Sequence, residues 1–320
     1  MSLSAVDKKL LYELDFRARA PLSELAHRLR TSKQMLLYRF ERLKQEGIIQ
    51  GFYADINPSK LGLTIYLLYL KFQHMSADKE QEFIRFLNAQ PRISVNASVQ
   101  GKWDHSVGIF ARDIHEFKAI YARTVGVFEQ HIKEKRITIV TDFHYYKPKY
   151  LVPESKPAEI TMSGPLESTP IDIVDDKLLK LLAENARMPL LDLGKKVDLT
   201  PNAVKARIKA LEKKKVILGY RVMIDHTKLQ KLHYRVFFFL ENDPARQEAL
   251  RAFLAVQPSV ISVTKTIGYC ELECRLLVDN VQDFYDFMTA LKAKFTDVLK
   301  DFEPILYYKF HKSLNYYPVE

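Results

Sequence analysis

Cysteine is almost absent: Cys270 and Cys274 are the only two in 320 residues. Read as lying in one strand, they sit about 13 Å apart along an extended chain, too far to bridge. A reduced, cytoplasmic protein is therefore expected. The ten glycines are dispersed, which leaves no glycine-rich nucleotide loop, and no nucleophile elbow, clustered His/Cys pattern or motif-placed acid pair occurs. No cofactor, no metal and no catalytic residue is expected on these grounds. No apolar run approaches the length of a membrane span, the longest covering residues 61–70. The N-terminus lacks the apolar core and cleavage site of a signal peptide. A tryptophan count of one makes Trp103 conspicuous, and it lies beside Asp104.

What the chain does contain is a repeat. Residues 174–219 slide back by 168 positions onto residues 6–51. Asp7 meets Asp175, Leu10 and Leu11 meet Leu178 and Leu179, Arg19 and Pro21 meet Arg187 and Pro189. Leu25 meets Leu193, Arg39 meets Arg207, Leu43 meets Leu211, and Gly51 meets Gly219. A period of about half the chain is a duplicated domain pair and not a solenoid.

Each copy reads as three short helices. In the later one, Thr200 can cap the third helix and Pro201 suits its first position. Val204, Ile208 and Leu211 recur at helical spacing and face inward, leaving Asn202, Lys205, Arg207 and Lys209 outward. The earlier copy repeats the plan: Ser32 is the cap, Leu36, Phe40 and Leu43 point inward, and Lys33, Gln34, Tyr38, Arg39 and Arg42 are the candidates for contact. Two helices joined by a tight connection, the second with a polar basic face, form a helix-turn-helix whose second helix enters the major groove. Ser32 and Thr200 join the candidate DNA-contacting residues as the caps that begin those helices. A solvated basic face is common by itself, and it is the repetition of the same buried positions that makes the pattern specific.

Charge agrees with this. The chain carries a net charge of +10. Residues 1–57 hold 10 Lys and Arg against 7 Asp and Glu, and residues 174–229 hold 13 against 7. Nine of the ten net positive charges thus lie in the two helical units, where a phosphate backbone would select them. Double-stranded DNA is the expected partner.

Between and after these units, apolar strands and amphipathic helices alternate. Residues 52–56 read as a strand or wing leading out of the first unit. Then come a strand at 63–72, a helix at 77–89, strands at 93–100 and 105–111, a helix at 115–127 and a strand at 136–145. The order strand, helix, strand, strand, helix, strand is the ferredoxin-like split βαβ unit. Residues 230–317 repeat it at an offset of 167, with Gly268 answering Gly101 and Glu271 answering Asp104. His144 and His311 are the only histidines of the nine that share a repeat position, on final strands, and read as packed or solvated. Residues 147–172, rich in proline and without apolar period, read as a linker able to reach on the order of 85 Å. The fold class expected is α+β, with domains at 1–57, 58–146, 173–229 and 230–320 around the linker at 147–172. The two ferredoxin-like sheets are expected to pair, because each has a face that no helix of its own domain covers.

The repeated unit resembles the Lrp/AsnC family, the leucine-responsive and asparagine-synthase regulators. Their pattern is carried by Asp175, Leu178-Leu179, Ala186-Arg187, Thr200, Arg207-Ile208, Leu211, Val216-Ile217 and Gly219-Tyr220, and by Asp7, Leu10-Leu11, Ala18-Arg19, Ser32, Arg39-Phe40, Leu43, Ile48-Ile49 and Gly51-Phe52. The resemblance implies two winged helix-turn-helix domains, each followed by a ferredoxin-like sensing (RAM-type) domain. It implies a sequence-specific transcription regulator that is not an enzyme, written as a fused pseudo-dimer or assembling as a homo-oligomer. The family's sensing turn has the form Gly-x-x-Asp, which Gly101, Trp103 and Asp104 fit. Gly268 and Glu271 answer them, with Glu for Asp. These five residues are the effector-binding candidates that the resemblance implies, with an amino acid as ligand. The same build also resembles sirohaem decarboxylases of haem biosynthesis, some of them fused pairs. These would hold a tetrapyrrole with His and Arg of the second domain. The His-Asn-Tyr-Glu-like segment expected of them is not visible here.

Overall fold

The computed structural model of the chain describes residues 3–162 and 166–313. Gly164 and Pro165 of the expected linker, and residues 314–320 of the last expected domain, lie outside the described residues. The first half runs α1 (Ala5–Leu14), α2 (Leu22–Arg28), α3 (Lys33–Gln45), β1 (Ile49–Ile56), β2 (Thr64–Phe72), α4 (Ala77–Asn88), β3 (Ile93–Gly101), β4 (His105–Ala111), α5 (Ile114–Arg123) and β5 (Ile132–Tyr146). A short strand β6 (Glu159–Met162) follows. The second half runs α6 (Ile173–Glu184), α7 (Leu190–Val197), α8 (Pro201–Lys213), β7 (Ile217–Ile224), β8 (Leu232–Leu240), α9 (Pro244–Val256), β9 (Val260–Gly268), β10 (Leu272–Val278), α10 (Val281–Phe295) and β11 (Leu299–Lys312). The sequence expectation of α+β with two helix-turn-helix and two ferredoxin-like copies matches this order.

Backbone detail repeats in part, with Phe16 and His74 left-handed in the first half only. Left-handed residues recur in pairs: Arg30 with Asp198, Gly47 with Lys215, Gly62 with Gln230, Gly101 with Gly268. Only the last pair keeps glycine on both sides. The turn positions are thus conserved in shape even where the residue type changed.

Packing groups the chain by kind and not by half. One compact unit takes the chain up to Asn57, Tyr146–Ile160 and Thr169–Lys231; the other takes Pro58–Tyr145, Thr161–Ser168 and the chain from Leu232. In the helical unit, Leu10, Leu11, Leu14, Leu25, Leu36 and Leu43 are fully buried, each such burial being worth about 2 kcal/mol. The strand expected as a wing, β1, pairs antiparallel with β7, so that Phe52 faces Val222 and Ala54 faces Tyr220. The two helix-turn-helix copies therefore share one ribbon. The expected free linker needs correction as well. Leu151 is buried in the core of the first copy with Tyr150 and Val152 against it, and β6 adds a strand beside β5. Three anchoring residues are too few to produce a period, which is why the sequence concealed them.

In the other unit, each ferredoxin-like sheet has the strand order β5-β2-β4-β3 or β11-β8-β10-β9, and the two join through β3–β11 and β5–β9. Eight strands close into one circuit, which removes all four sheet edges. Residues of β2 divide by parity. Tyr66, Leu68 and Leu70 pack with Phe83, Leu87 and Phe117 of the helices α4 and α5. Ile65, Leu67 and Tyr69 pack inside with Val99, Phe237, Ile305 and Tyr307. Burial on both faces explains the unbroken apolar run. The helix expected at 115–127 stops at Arg123, because Thr124 leaves helical geometry and its hydroxyl donates to the Ile120 carbonyl at 2.6 Å. A 3-10 segment, Val125–His131, follows, and β5 begins earlier than the expected 136. Cys270 lies in the turn before β10 and not in the strand with Cys274; both are buried and free.

Candidate nucleic-acid interface

Helix α8 begins as its sequence dictates. The Thr200 hydroxyl accepts from the Ala203 amide at 3.2 Å and Pro201 occupies the first turn. Val204, Ile208 and Leu211 are buried, fixing the opposite face outward. Asn202, Lys205 and Lys209 are exposed on it. Neither Lys205 nor Lys209 makes an ion pair among the described residues. Lys213, Lys214 and Lys215 continue the exposed positive charge past the helix end.

Arg207 behaves differently from the expectation. Its Nη1 donates to Asp172 Oδ2 at 2.7 Å and to Asp175 Oδ1 at 2.9 Å. The bond to Asp172, seconded by that to Asp175, holds its proton more firmly than usual. Through that nitrogen it braces α8 against the start of α6. The hydroxyls of Ser32 and Thr200 are likewise committed to caps, Ser32 accepting from the Met35 amide at 3.1 Å.

In α3 both arginines are paired in the same way. Arg39 Nη1 donates to Asp7 Oδ1 at 3.1 Å and Arg42 Nη2 to Asp7 Oδ2 at 2.7 Å. Asp7 also accepts from the Ser4 amide at 3.0 Å and its own amide bonds the Ser4 hydroxyl, a capping box at the head of α1. Burial raises the Asp7 carboxyl, but the Ser4 bonds, the Arg39 bond and the Arg42 charge outweigh it and leave the group below its ordinary value. Of the residues expected to face outward, Lys33, Gln34 and Tyr38 do so, and Leu37 and Met35 are exposed beside them. Glu41, half-buried at the position that answers Lys209, pairs with Lys44 at 3.2 Å.

Sequence reasoning missed the residues that hold the two copies together. The Ala18 amide donates to the Tyr220 carbonyl at 3.0 Å, and the Ala186 amide to the Phe52 carbonyl at 2.8 Å. Arg19 donates to the Ala186 carbonyl, and Arg187 to the Ala18 carbonyl. These bonds are reciprocal, residue for repeat residue. One contact breaks the symmetry: Arg221 forks onto Asp15 at 2.7 and 2.9 Å, both side chains buried. The signal was present in the repeated Ala-Arg pair.

The turns expected to bind an effector have internal partners. Asp104 Oδ2 accepts from the Phe72 amide at 2.8 Å and Oδ1 from Lys71 Nζ at 2.7 Å. Glu271 Oε2 accepts from the Leu240 amide at 2.9 Å. Both carboxylates thus tie off the end of a first strand, β2 or β8, so Glu serves where Asp did. A side chain on Gly101 would meet the Pro304 carbonyl oxygen at 3.0 Å, and one on Gly268 the Ile137 oxygen at 2.6 Å. These glycines let the neighbouring strand close the circuit. Trp103 is fully buried with its ring edge-on to Tyr269 at 5.6 Å, and its Nε1 has no partner among the described residues. Asp104, expected to meet a ligand ammonium, is thus already paired with Lys71. Inside the circuit, Tyr69 and Arg235 both donate to Glu273 Oε2, at 2.8 and 2.9 Å. Burial raises the Glu273 carboxyl despite Arg235. Among the described residues, no group of His, Cys, Asp and Glu could hold a metal ion, and no helix is long and apolar enough to cross a membrane.

Comparison with known proteins agrees with the helical units. The AsnC-type helix-turn-helix domain matches residues 171–212, and a winged helix-turn-helix DNA-binding domain matches residues 3–50. An uncharacterised helix-turn-helix transcriptional regulator of Pyrococcus furiosus is 32% identical over 128 residues, spanning 39% of this chain and 82% of that protein. The proline dehydrogenase transcriptional activator of Rhodobacter capsulatus is 40% identical over 122 residues, spanning 37% of this chain and 77% of that protein. Among solved structures, the siroheme decarboxylase NirDL aligns with 98% of this chain and 94% of its own, with a TM-score of 0.63 and 14% identity. That last likeness is one of fold.

Proposed function

Since the chain belongs to the Lrp/AsnC family of helix-turn-helix transcription regulators, we propose that it binds duplex DNA as a regulator dimer fused into one polypeptide. The observation that carries this is α8: a capped helix showing Asn202, Lys205 and Lys209 outward, with both lysines unpaired. Such a helix can place its first turns in the major groove, with Lys205 and Lys209 toward base edges and the exposed Lys213, Lys214 and Lys215 toward phosphates. The shared β1–β7 ribbon and the reciprocal Arg19 and Arg187 bonds support the fused-dimer part, because they give two recognition helices one frame. The purified chain should bind duplex DNA without metal or nucleotide, and binding should weaken steeply with salt as counterions are released. No binding to any genomic fragment at low salt would overturn the reading. Modulation by an amino acid at the Gly101–Asp104 turn would put the ligand ammonium on Asp104 beside Lys71 or in its place.

The buried Tyr69–Arg235–Glu273 cluster favours a second reading, an enzyme of the siroheme decarboxylase kind built on this fold. It places its chemistry in the ferredoxin-like unit and leaves the exposed lysines of α8 idle. Expression alongside the tetrapyrrole, followed by an absorbance spectrum of the purified protein, separates the two; a bound chromophore would favour the enzyme.

A further inference from the structure

The two recognition helices differ at the positions that face a groove. From the start of each helix, Gln34 answers Asn202, Met35 answers Ala203, Leu37 answers Lys205, Tyr38 answers Ala206 and Glu41 answers Lys209. On α3 the exposures are 46% for Met35, 44% for Leu37 and 64% for Tyr38. Buried Leu36, Phe40 and Leu43 fix the opposite face, so this apolar surface belongs to the helix's outward side. Leu36 and Val204, Phe40 and Ile208, Leu43 and Leu211 are the same inward positions in both copies.

Within the DNA-binding reading, on which this rests, we infer that the copies read chemically different half-sites. Helix α3 takes a thymine-rich half, and α8 a half that contains guanine. In the major groove thymine alone offers a methyl group, which apolar side chains contact, and Gln matches adenine N6 and N7. Met35, Leu37 and Tyr38 beside Gln34 form such a set. Lysine matches guanine O6 and N7, and Asn matches adenine. Lys205 and Lys209 beside Asn202 form the second set. Arg39, Arg42 and Arg207 do not blur the contrast, since each is held by a carboxylate of its own copy. Glu41 at the place of Lys209 also removes a phosphate or guanine contact from α3. The apolar patch has one occupant here, the methyl-bearing edge of A·T pairs. That follows from its place on the leading turns of a capped helix whose repeat mate shows lysines.

The test uses the full chain. Bound duplexes are selected from a random pool, and the enriched site is then remade with single-atom changes in each half. Replacing thymine by uracil in the α3 half removes the methyl and should weaken binding about fourfold per contacted base. In the α8 half the same replacement should do little, whereas 7-deazaguanine there should weaken binding about tenfold. Substituting Met35→Ala, Leu37→Lys and Tyr38→Ala together gives α3 the α8 residue at three of these five positions and removes its apolar patch. That variant should lose its sensitivity to uracil and select a site closer to a palindrome. An unchanged α8-half preference in the same variant shows that the chain still folds. A palindrome selected by the unaltered chain, with equal uracil effects in both halves, overturns the inference and leaves DNA binding standing. Uracil insensitivity in both halves overturns it too, and assigns the α3 patch to a protein partner. Absence of any enriched duplex removes the DNA-binding reading itself and this inference with it.

Discussion

At the repeat positions where the second recognition helix shows Lys205 and Lys209, the first shows Leu37 and Glu41. Inward of the surface the two copies correspond position by position, with the same three buried positions, the same cap chemistry and the same left-handed turn positions. Duplication has therefore kept what the fold needs and released what faces outward. The acids that brace the helices also diverged in strength. Asp7 is fully buried and grips two arginines, whereas Asp175 is partly exposed and shares one arginine with Asp172. A homodimer could not carry such differences, because two-fold symmetry would impose each change on both halves.

The largest effect should come from the contact that one copy has and the other lacks. Asp15→Ala leaves Arg221 buried without its carboxylate and should cost about 3–4 kcal/mol in denaturant unfolding. Loss below ~1 kcal/mol would mean that the reciprocal backbone bonds alone hold the copies together. Next, the two closing glycines can be ranked. Gly268→Ala should cost about 3 kcal/mol and Gly101→Ala about 2. The reason is that the added carbon meets backbone oxygen at 2.6 Å in the first and 3.0 Å in the second. Reversed order in thermal or denaturant unfolding would break that part of the comparison.

A smaller difference separates the bracing acids. Asp7→Asn should cost about 2 kcal/mol, and Asp175→Asn less than about 1, since its ion pair is wetter. The pH dependence has a definite sign. The folded Asp7 carboxyl lies below its unfolded value. Its stabilisation is therefore complete above about pH 5 and is lost as pH falls through the folded value. Unfolding followed between pH 7 and pH 3 should show a shallower acid-side decline in Asp7→Asn than in the unaltered chain. An identical decline would assign the acid sensitivity to other carboxylates.

Much of this was legible in the sequence because burial leaves periods. Leu36, Phe40 and Leu43, or Val204, Ile208 and Leu211, announce which face is inside, and the repeat checks the reading twice. The alternation of strand and helix gave the ferredoxin-like order for the same reason. Long side chains were less legible. Arg39, Arg42 and Arg207 look like DNA contacts by spacing, but their partners Asp7, Asp172 and Asp175 lie 32 to 35 positions away in the chain. Asp104 misled in the same way, since its bonds to Lys71 and the Phe72 amide cross a strand pair. The ribbon of β1 with β7 and the closure of β3 on β11 are contacts between halves. No pattern within one half can reveal them.

The central claim is that duplex DNA is held by two unequal helices, with α8 carrying more of the phosphate contact. Affinity measured over a range of salt tests it most directly, because each lost phosphate contact lowers the slope of log affinity against log salt by about 0.9. Lys213→Ala with Lys214→Ala, both exposed at the end of α8, should lower that slope by about two. Lys33→Ala with Arg42→Ala should lower it by about one or less, Arg42 being tied to Asp7. Equal losses from the two pairs would contradict the account.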